Sequence, residues 1–295
     1  MLIDPTDLSI RMILERNVYM KSMEERVQAV EEKCRLVRKL TMEMTVEVEG
    51  GVHFGPAYSI VDIIGALYFD VMNLDPANPR WEDRDRFILS KGHGVAALYP
   101  ALALAGFFPV DDLKKYGENS SYLGMHPSID VDHAIEASTG SLGQGLSFGA
   151  GMALAGKINK KKYRTFVIVG NGECNEGQIW ECALVSAQNG LDNLVAIIDD
   201  NAMQCDHESR TIIDMEDFAA KWSSFGWAVE VVDGHDVGQL IRVLSENRMS
   251  KNKPLAVIAR TVKGKGISFF EDNNDYHHVH YVTRELADRA LSVLV

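Results

Sequence analysis

Cysteine is scarce in this chain of 295 residues: four occur, at positions 34, 174, 182 and 205. None forms a Cys-x-x-Cys pair and none stands at a zinc-type spacing, so the pattern supports neither a metal framework nor a disulfide scaffold. Reduced thiols in a cytoplasmic protein are the expectation. A long basic cluster is also missing. Lysine and arginine number 30 against 42 acidic residues, for a net charge of −12. The densest basic run, residues 157–164, reads as a solvated loop leading into a strand. That balance excludes nucleic acid as a partner. Asp4, Asp7, Arg11 and Glu15 interrupt the N-terminus, which therefore does not read as a signal peptide. The most apolar windows, 60–71 and 99–110, are too short or too interrupted to cross a bilayer, so no membrane contact is expected. What remains is a chain that is 46% hydrophobic, enough for one large domain with a substantial core or two small ones.

Periodicity supplies the elements. Val27, Val30, Cys34, Val37, Leu40 and Met44 recur at three- and four-residue steps, which predicts a helix over 23–46 ended by Gly50-Gly51. Ile60, Ile63, Ile64, Leu67 and Tyr68 share one face of a second helix over 59–71. Short apolar runs at 87–89, 165–169, 194–198, 228–232 and 255–259 read as strands. Helical segments near 142–157, 180–189, 218–225 and 237–246 alternate with them, and 284–295 reads as a last helix. Continuous Val/Ile runs indicate strands buried on both faces. The expected fold class is therefore α/β, a parallel sheet flanked by helices on both faces. Residues 1–22 read as an N-terminal extension and 23–295 as a single domain.

One segment carries chemistry. Gly170-Asn171-Gly172-Glu173 follows the strand 165–169 and opens into a helix; the next strand ends at Asp199-Asp200-Asn201. Ligands of open α/β sheets bind at that edge. Glycines let the backbone approach an anion, and a helix N-terminus favours negative charge. Asn171 and Asn201 both offer amide oxygen to a hard divalent cation. A lone Gly-x-Gly is usually a plain turn; the whole strand–turn–helix–strand unit with oxygen donors at both strand ends is more specific. Glu173 and Glu181 also read as ordinary charges near a helix start, favoured by the dipole, and Asp199 and Asp200 as caps or supporting groups.

Gly170 to Asn201 resembles the thiamine diphosphate motif, which begins Gly-Asp-Gly and ends in Asn. Four further segments resemble the transketolase family: Ser90-Lys91-Gly92-His93-Gly94; Ser138 to Gly145 (STGSLGQG); Gly51-Val52-His53-Phe54-Gly55, an altered Gly-His-x-Gly; and Thr261 to Gly266 (TVKGKG) followed by Tyr276-His277. The resemblance runs from about residue 33 to 281. It implies a thiamine diphosphate-binding fold and, as cofactors, thiamine diphosphate with magnesium (or calcium or manganese). It implies metal ligands at Asn171 and Asn201 and at the backbone carbonyl of Met203. Gly172 and His93 would contact the diphosphate, and His277 would lie between diphosphate and substrate. His53 and His126 would line the channel near the thiazolium carbon, and Gly140 and Leu142 would border the cofactor rings. Glu176 and Glu181 would sit at a subunit interface beside the cofactor, with Lys263 and Gln204 nearby. His53, His93, His126 and His277 are the catalytic candidates, since imidazole titrates near neutral pH. His133, His207, His235, His278 and His280 are read as structural or merely exposed.

Two departures matter. Asn171 stands where the family has Asp, so one anionic metal ligand is missing, and weaker metal and cofactor binding is the expectation; an Asn-Gly pair can also deamidate to Asp. The chain is also less than half as long as a complete transketolase and lacks the pyrimidine-binding domain, whose glutamate protonates the cofactor. The resemblance thus implies the N-terminal subunit of a two-chain transketolase, paired with a C-terminal pyrimidine-binding subunit in a heterotetramer. It would transfer a two-carbon ketol unit between sugars or sugar phosphates. Three other readings stay open on the sequence: the α chain of a 2-oxo acid dehydrogenase, a split deoxyxylulose-phosphate synthase, and a non-catalytic partner chain. An altered loop around Tyr58 suggests a specialised substrate.

Overall fold

Ser22 starts the first helix with a capping box: its hydroxyl accepts from the Glu25 amide while Glu25 reaches back to the Ser22 amide. The computed structural model describes residues 22–245 and 252–294; the expected extension 1–22 falls outside it save for Ser22. Helix α1 spans Met23–Thr45, followed by the short helices α2 (Phe54–Tyr58) and α3 (Val61–Ala66), the latter passing into a π turn at Leu67–Val71. Next come β1 (Arg86–Leu89), α4 (Val95–Ala105), α5 (Gln144–Ile158), β2 (Thr165–Gly170), α6 (Gly177–Gln188) and β3 (Leu194–Asp200). The chain continues through α7 (Phe218–Ser224), β4 (Ala228–Asp233), α8 (Val237–Leu244), β5 (Leu255–Arg260) and α9 (Arg284–Ser292).

The strands form one parallel sheet in the order β1-β2-β3-β5-β4. Successive strand residues point to opposite faces, and the two faces build two cores. Phe166, Ile168, Val195, Ile197 and Val257 join α1, α3, α4 and α8 on one side. Val167, Val169, Ala196, Ile198 and Ile258 join α5, α6 and α7 on the other. The α/β fold with helices on both faces is as expected. Strand β4 departs from the expected burial: it sits at the sheet edge, pairs only with β5, and leaves Glu230 and Val231 exposed.

Helix α4 was legible only as an apolar window. Val95 to Ala103 is buried all round, so no polar stripe marks it as helical. It carries Pro100, which lacks an amide hydrogen for the Ala96 carbonyl; that carbonyl lies 3.1 Å from the Thr41 hydroxyl of α1. The run Phe54–Val71 is as long and apolar as a membrane span, yet 83% of it is buried inside the protein. Tyr58 is fully buried there, its hydroxyl donating to the Arg38 carbonyl. It belongs to the core, not to a substrate loop.

Candidate active site

Parallel register fixes what meets at the carboxyl edge. Gly170 of β2 lies opposite Asp199 of β3, and Asp199 opposite Ala259 of β5. The loops leaving β1, β2, β3 and β5 therefore rise side by side around a cavity of about 520 Å³. His53, His93, His126 and His277 all line it, as do Gly140, Leu142, Gly172, Glu176 and Lys263 and the three metal candidates Asn171, Asn201 and Met203.

Two buried carboxylates lash these loops together. Asp199 accepts from Lys91 Nζ (2.5 Å), Ser59 Oγ (2.8 Å), Asn201 Nδ2 (3.0 Å) and Thr261 Oγ1 (2.5 Å). One side chain thus ties β3 to the β1 loop, the turn after α2, and the β5 loop. Glu173 accepts from Ser90 Oγ (2.5 Å), Gly143 N (2.9 Å) and Gly170 N (3.0 Å). Burial pushes its carboxyl up, and these donors oppose the shift. The loop 138–143 presses on the β1 loop so closely that a Cβ on Gly92 would fall 2.7 Å from the Thr139 backbone. Reading Glu173 as a charge beside a helix start missed its role as a tie. Lys91 lay inside a recognised motif and Asp199 in the Asp-Asp-Asn strand end, but their pairing links positions 91 and 199, which no local pattern reports.

The imidazoles crowd together. The His53 ring centroid lies 5.3 Å from that of His93, 5.6 Å from His277 and 6.1 Å from His126. Burial is the main cause that lowers their basicity: His53 falls to about 4, His277 to about 3, His93 goes well below its ordinary value, and His126 is lowered too. Neighbouring His and Lys side chains push His53, His93 and His277 the same way. With their basicity lowered these rings are neutral near pH 7, and a neutral imidazole offers one donor and one acceptor nitrogen. Lys263 donates from Nζ to the Gln204 carbonyl and Asn274 Oδ1, and burial followed by Lys91 lowers it to about 8.

Two buried polar atoms at this cavity have no protein partner among the described residues: His277 Nδ1 and Asn175 Nδ2. A cavity whose two nearby buried carboxylates are already bonded, and which presents unspent donors and a lysine, fits a diphosphate. The metal candidates fit as well. The Asn171 Nδ2 donates to Ser209 Oγ (2.6 Å) and Asn201 Nδ2 to Asp199, which turns their amide oxygens into the candidate ligands; Asn201 Oδ1 also accepts from the Met203 amide (3.0 Å) and keeps one lone pair for a cation. Met203 sits in a small hairpin bridged to Glu208. Among the described residues no cluster of three His, Cys, Asp or Glu side chains is placed to hold a metal. A cation here would rely on neutral oxygens and on the phosphate charge.

Glu181 is not brought to the cavity. Ile179 and Ala183 face the core, so Glu181 projects from the opposite side of α6 into a shallow groove with Gly151 and Val185. His235 is structural as read: its Nε2 accepts from the Val262 amide (2.8 Å) and its Nδ1 bonds Asp62 (2.8 Å). His278, read as unremarkable, instead packs its ring 4.4 Å from that of His53. Cys174 and Cys182 are buried in the core, and all four cysteines are free thiols.

Fold and site together define a diphosphate-cofactor domain: a parallel sheet with an anion-fitting, histidine-lined cavity at its carboxyl edge. Residues 30–289 match the family model described as the thiamine diphosphate binding domain of transketolase, and the chain belongs to that family. It is 38% identical over 272 residues to the 6-deoxy-6-sulfo-D-fructose transketolase subunit SqwG of Clostridium sp., covering 92% of this chain and 98% of that subunit. It is 40% identical over 252 residues to an apulose-4-phosphate transketolase subunit of Phocaeicola vulgatus, covering 85% of this chain and 89% of that one. Transketolase from Leishmania mexicana superposes with a TM-score of 0.81 at 27% identity. That match covers 93% of this chain but 41% of the other, so the chain spans about two-fifths of the solved transketolase.

Proposed function

We propose that this chain is the diphosphate-binding subunit of a two-chain transketolase, transferring a two-carbon ketol unit from a ketose to an aldose. A separate pyrimidine-binding chain completes each site, and two chains of each kind make a heterotetramer. The observation that carries this reading is the convergence of four imidazoles from four separate loops on one donor-lined cavity. The full-length match to transketolase subunits, against a two-fifths match to a solved transketolase, supports the division into two chains.

Bound thiamine diphosphate would supply a nucleophilic carbon and an electron sink for cleaving and forming the carbon–carbon bond. The chain's own residues do the rest. Asn175, His277 and Lys263 would bind the diphosphate, and Asn171, Asn201 and the Met203 carbonyl would hold magnesium. His53, His93 and His126 accept and donate hydrogen bonds at sugar hydroxyls, and their low basicity keeps them uncharged while they do so. Asp199 and Glu173 hold the loops in place. The free thiols fit a cytoplasmic setting.

The test is reconstitution. The chain and its pyrimidine-binding partner, with thiamine diphosphate and magnesium, are expected to transfer a ketol unit from xylulose phosphate, 6-deoxy-6-sulfofructose or a related ketose. Neither chain alone should do so. Release of carbon dioxide from pyruvate in place of transfer, or no cofactor binding at millimolar concentration, would overturn the reading.

A further inference from the structure

His278 and His280 have no place in the scheme above, yet they extend the imidazole cluster outward. His280 is exposed, and its ring centroid lies 4.6 Å from that of His278. His278 lies 4.4 Å from His53, which faces the cavity. A continuous file of three rings therefore runs from solvent to the site.

The file is built into the backbone. Val52 and Val279 exchange amide–carbonyl bonds of 2.9 Å in both directions, locking the loop of His53 to the segment of His278 and His280. Gly51 closes the contact: it has φ +83°, and a Cβ there would fall 2.9 Å from His278 Nε2. The groups facing His278 are the imidazoles of His53, His277 and His280 and the Gly50 carbonyl, which accepts from its ring.

Ketol transfer creates a need for such a file. A hydroxyl proton leaves the donor sugar in the first half of the reaction, and a proton returns to the acceptor in the second. Between the halves the buried rings of His53 and His277 are poor places to keep it, being depressed to about 4 and 3. On the two-chain reading proposed above, a partner chain would complete the site at this cavity.

The geometry points to His278 and His280 as a proton relay between His53 and the solvent. His278 keeps one nitrogen on the Gly50 carbonyl, so it takes up the proton and hands it on at its other nitrogen, charged only in passage, and His53 and His280 exchange protons with it in turn. One proton thus crosses, no ring keeps a charge, and solvent buffer is the final acceptor; the return passage delivers a proton by the same route. This inference rests on the proposed ketol transfer, with His278 and His280 acting through His53 and not on substrate.

The test uses the reconstituted two-chain enzyme at saturating sugars in a dilute, bulky buffer. H278A and H280A are expected to turn over about tenfold more slowly, with unchanged cofactor affinity, and added imidazole should restore the rate. Because His280 is exposed, H280A keeps the test alive if H278A does not fold. Turnover unchanged in both variants, or a loss that imidazole does not restore, would overturn the relay. A second readout needs no activity: solvent exchange of the His53 ring proton, followed by NMR in the complex, should slow about tenfold in H280A. Equal exchange in wild type and variant would sink the relay whatever the turnover. A wild-type complex that transfers no ketol unit would sink the functional reading alone.

Discussion

Asn171 stands where the motif it resembles has Asp. Its amide is buried and pinned by Ser209, so an aspartate there would keep the same pose, with the Ser209 hydroxyl turned to donate. Asn171→Asp adds a negative ligand to a site that otherwise offers neutral oxygens. Magnesium affinity of the cofactor-bound complex should rise about tenfold, or about 1.4 kcal/mol. Calorimetric titration of both proteins with magnesium checks this, and equal or weaker binding by the variant refutes it. Intact mass settles whether Asn171 has already deamidated. Lys263 supplies a pH signature. Below about 8 its ammonium attracts diphosphate; above that value the charge is lost. Cofactor affinity should therefore decline as pH rises past about 8, and K263M should bind about tenfold more weakly at pH 7 and lose the alkaline decline. Most candidate residues were legible because each sits in a short motif with its own glycines. Lys91 with Asp199, and His278 with His53, were not. Each pair joins segments far apart in sequence, and only the sheet register and the Val52–Val279 bridge bring them together.

At the scale of elements, helix α5 must come close to the sheet for the Glu173 ties to form. Its glycines show how close. A Cβ on Gly145 would fall 2.6 Å from Ser90 Cα, and one on Gly149 would fall 2.4 Å from Val167 Cγ2. Gly151, on the outer face of the same helix, would meet nothing within 4 Å. Gly145→Ala should therefore cost about 1–3 kcal/mol through overpacking and weaken cofactor binding by shifting Ser90. Gly151→Ala should stabilise the isolated chain by about 0.5–1 kcal/mol, because helix propensity is gained without a clash. Urea unfolding of the two variants compares them directly; a destabilised Gly151→Ala would show that the outer face is packed after all. The strands were legible from their Val/Ile runs, as was α1 from its spacing. Helix α4 was not, since a helix buried on every side has no polar stripe. The half-exposed character of β4 was hidden too, because a strand's place at a sheet edge is a matter of topology and its own sequence does not state it.

For the whole molecule, one surface is conspicuous. Leu184 is 58% exposed and Val185 56% on α6, and Phe148 is 45% exposed on α5. Val185, with Gly151 and Glu181, borders the groove between the two helices, and Leu184 and Phe148 are exposed on the same two helices. Exposed apolar side chains of this size on a strongly acidic chain are poorly suited to open solvent. A two-fold axis through this face would bury the same residues on both copies, as an isologous contact requires. Such a contact would place Glu181 at a subunit boundary, as the family resemblance implies, although the structure keeps it out of the cavity itself. The α6 helix also carries the Gly170–Glu176 turn at its N-terminal end, so docking its outer face would steady the diphosphate loop from behind. L184E with V185E should therefore convert a two-plus-two assembly into one of each chain, read by sedimentation or native mass. The fold should survive, since both side chains already face outward. Cofactor affinity should fall about three- to tenfold as the loop loses its support. A heterotetramer that persists in the double variant would put the contact on another face and leave this apolar strip without a partner.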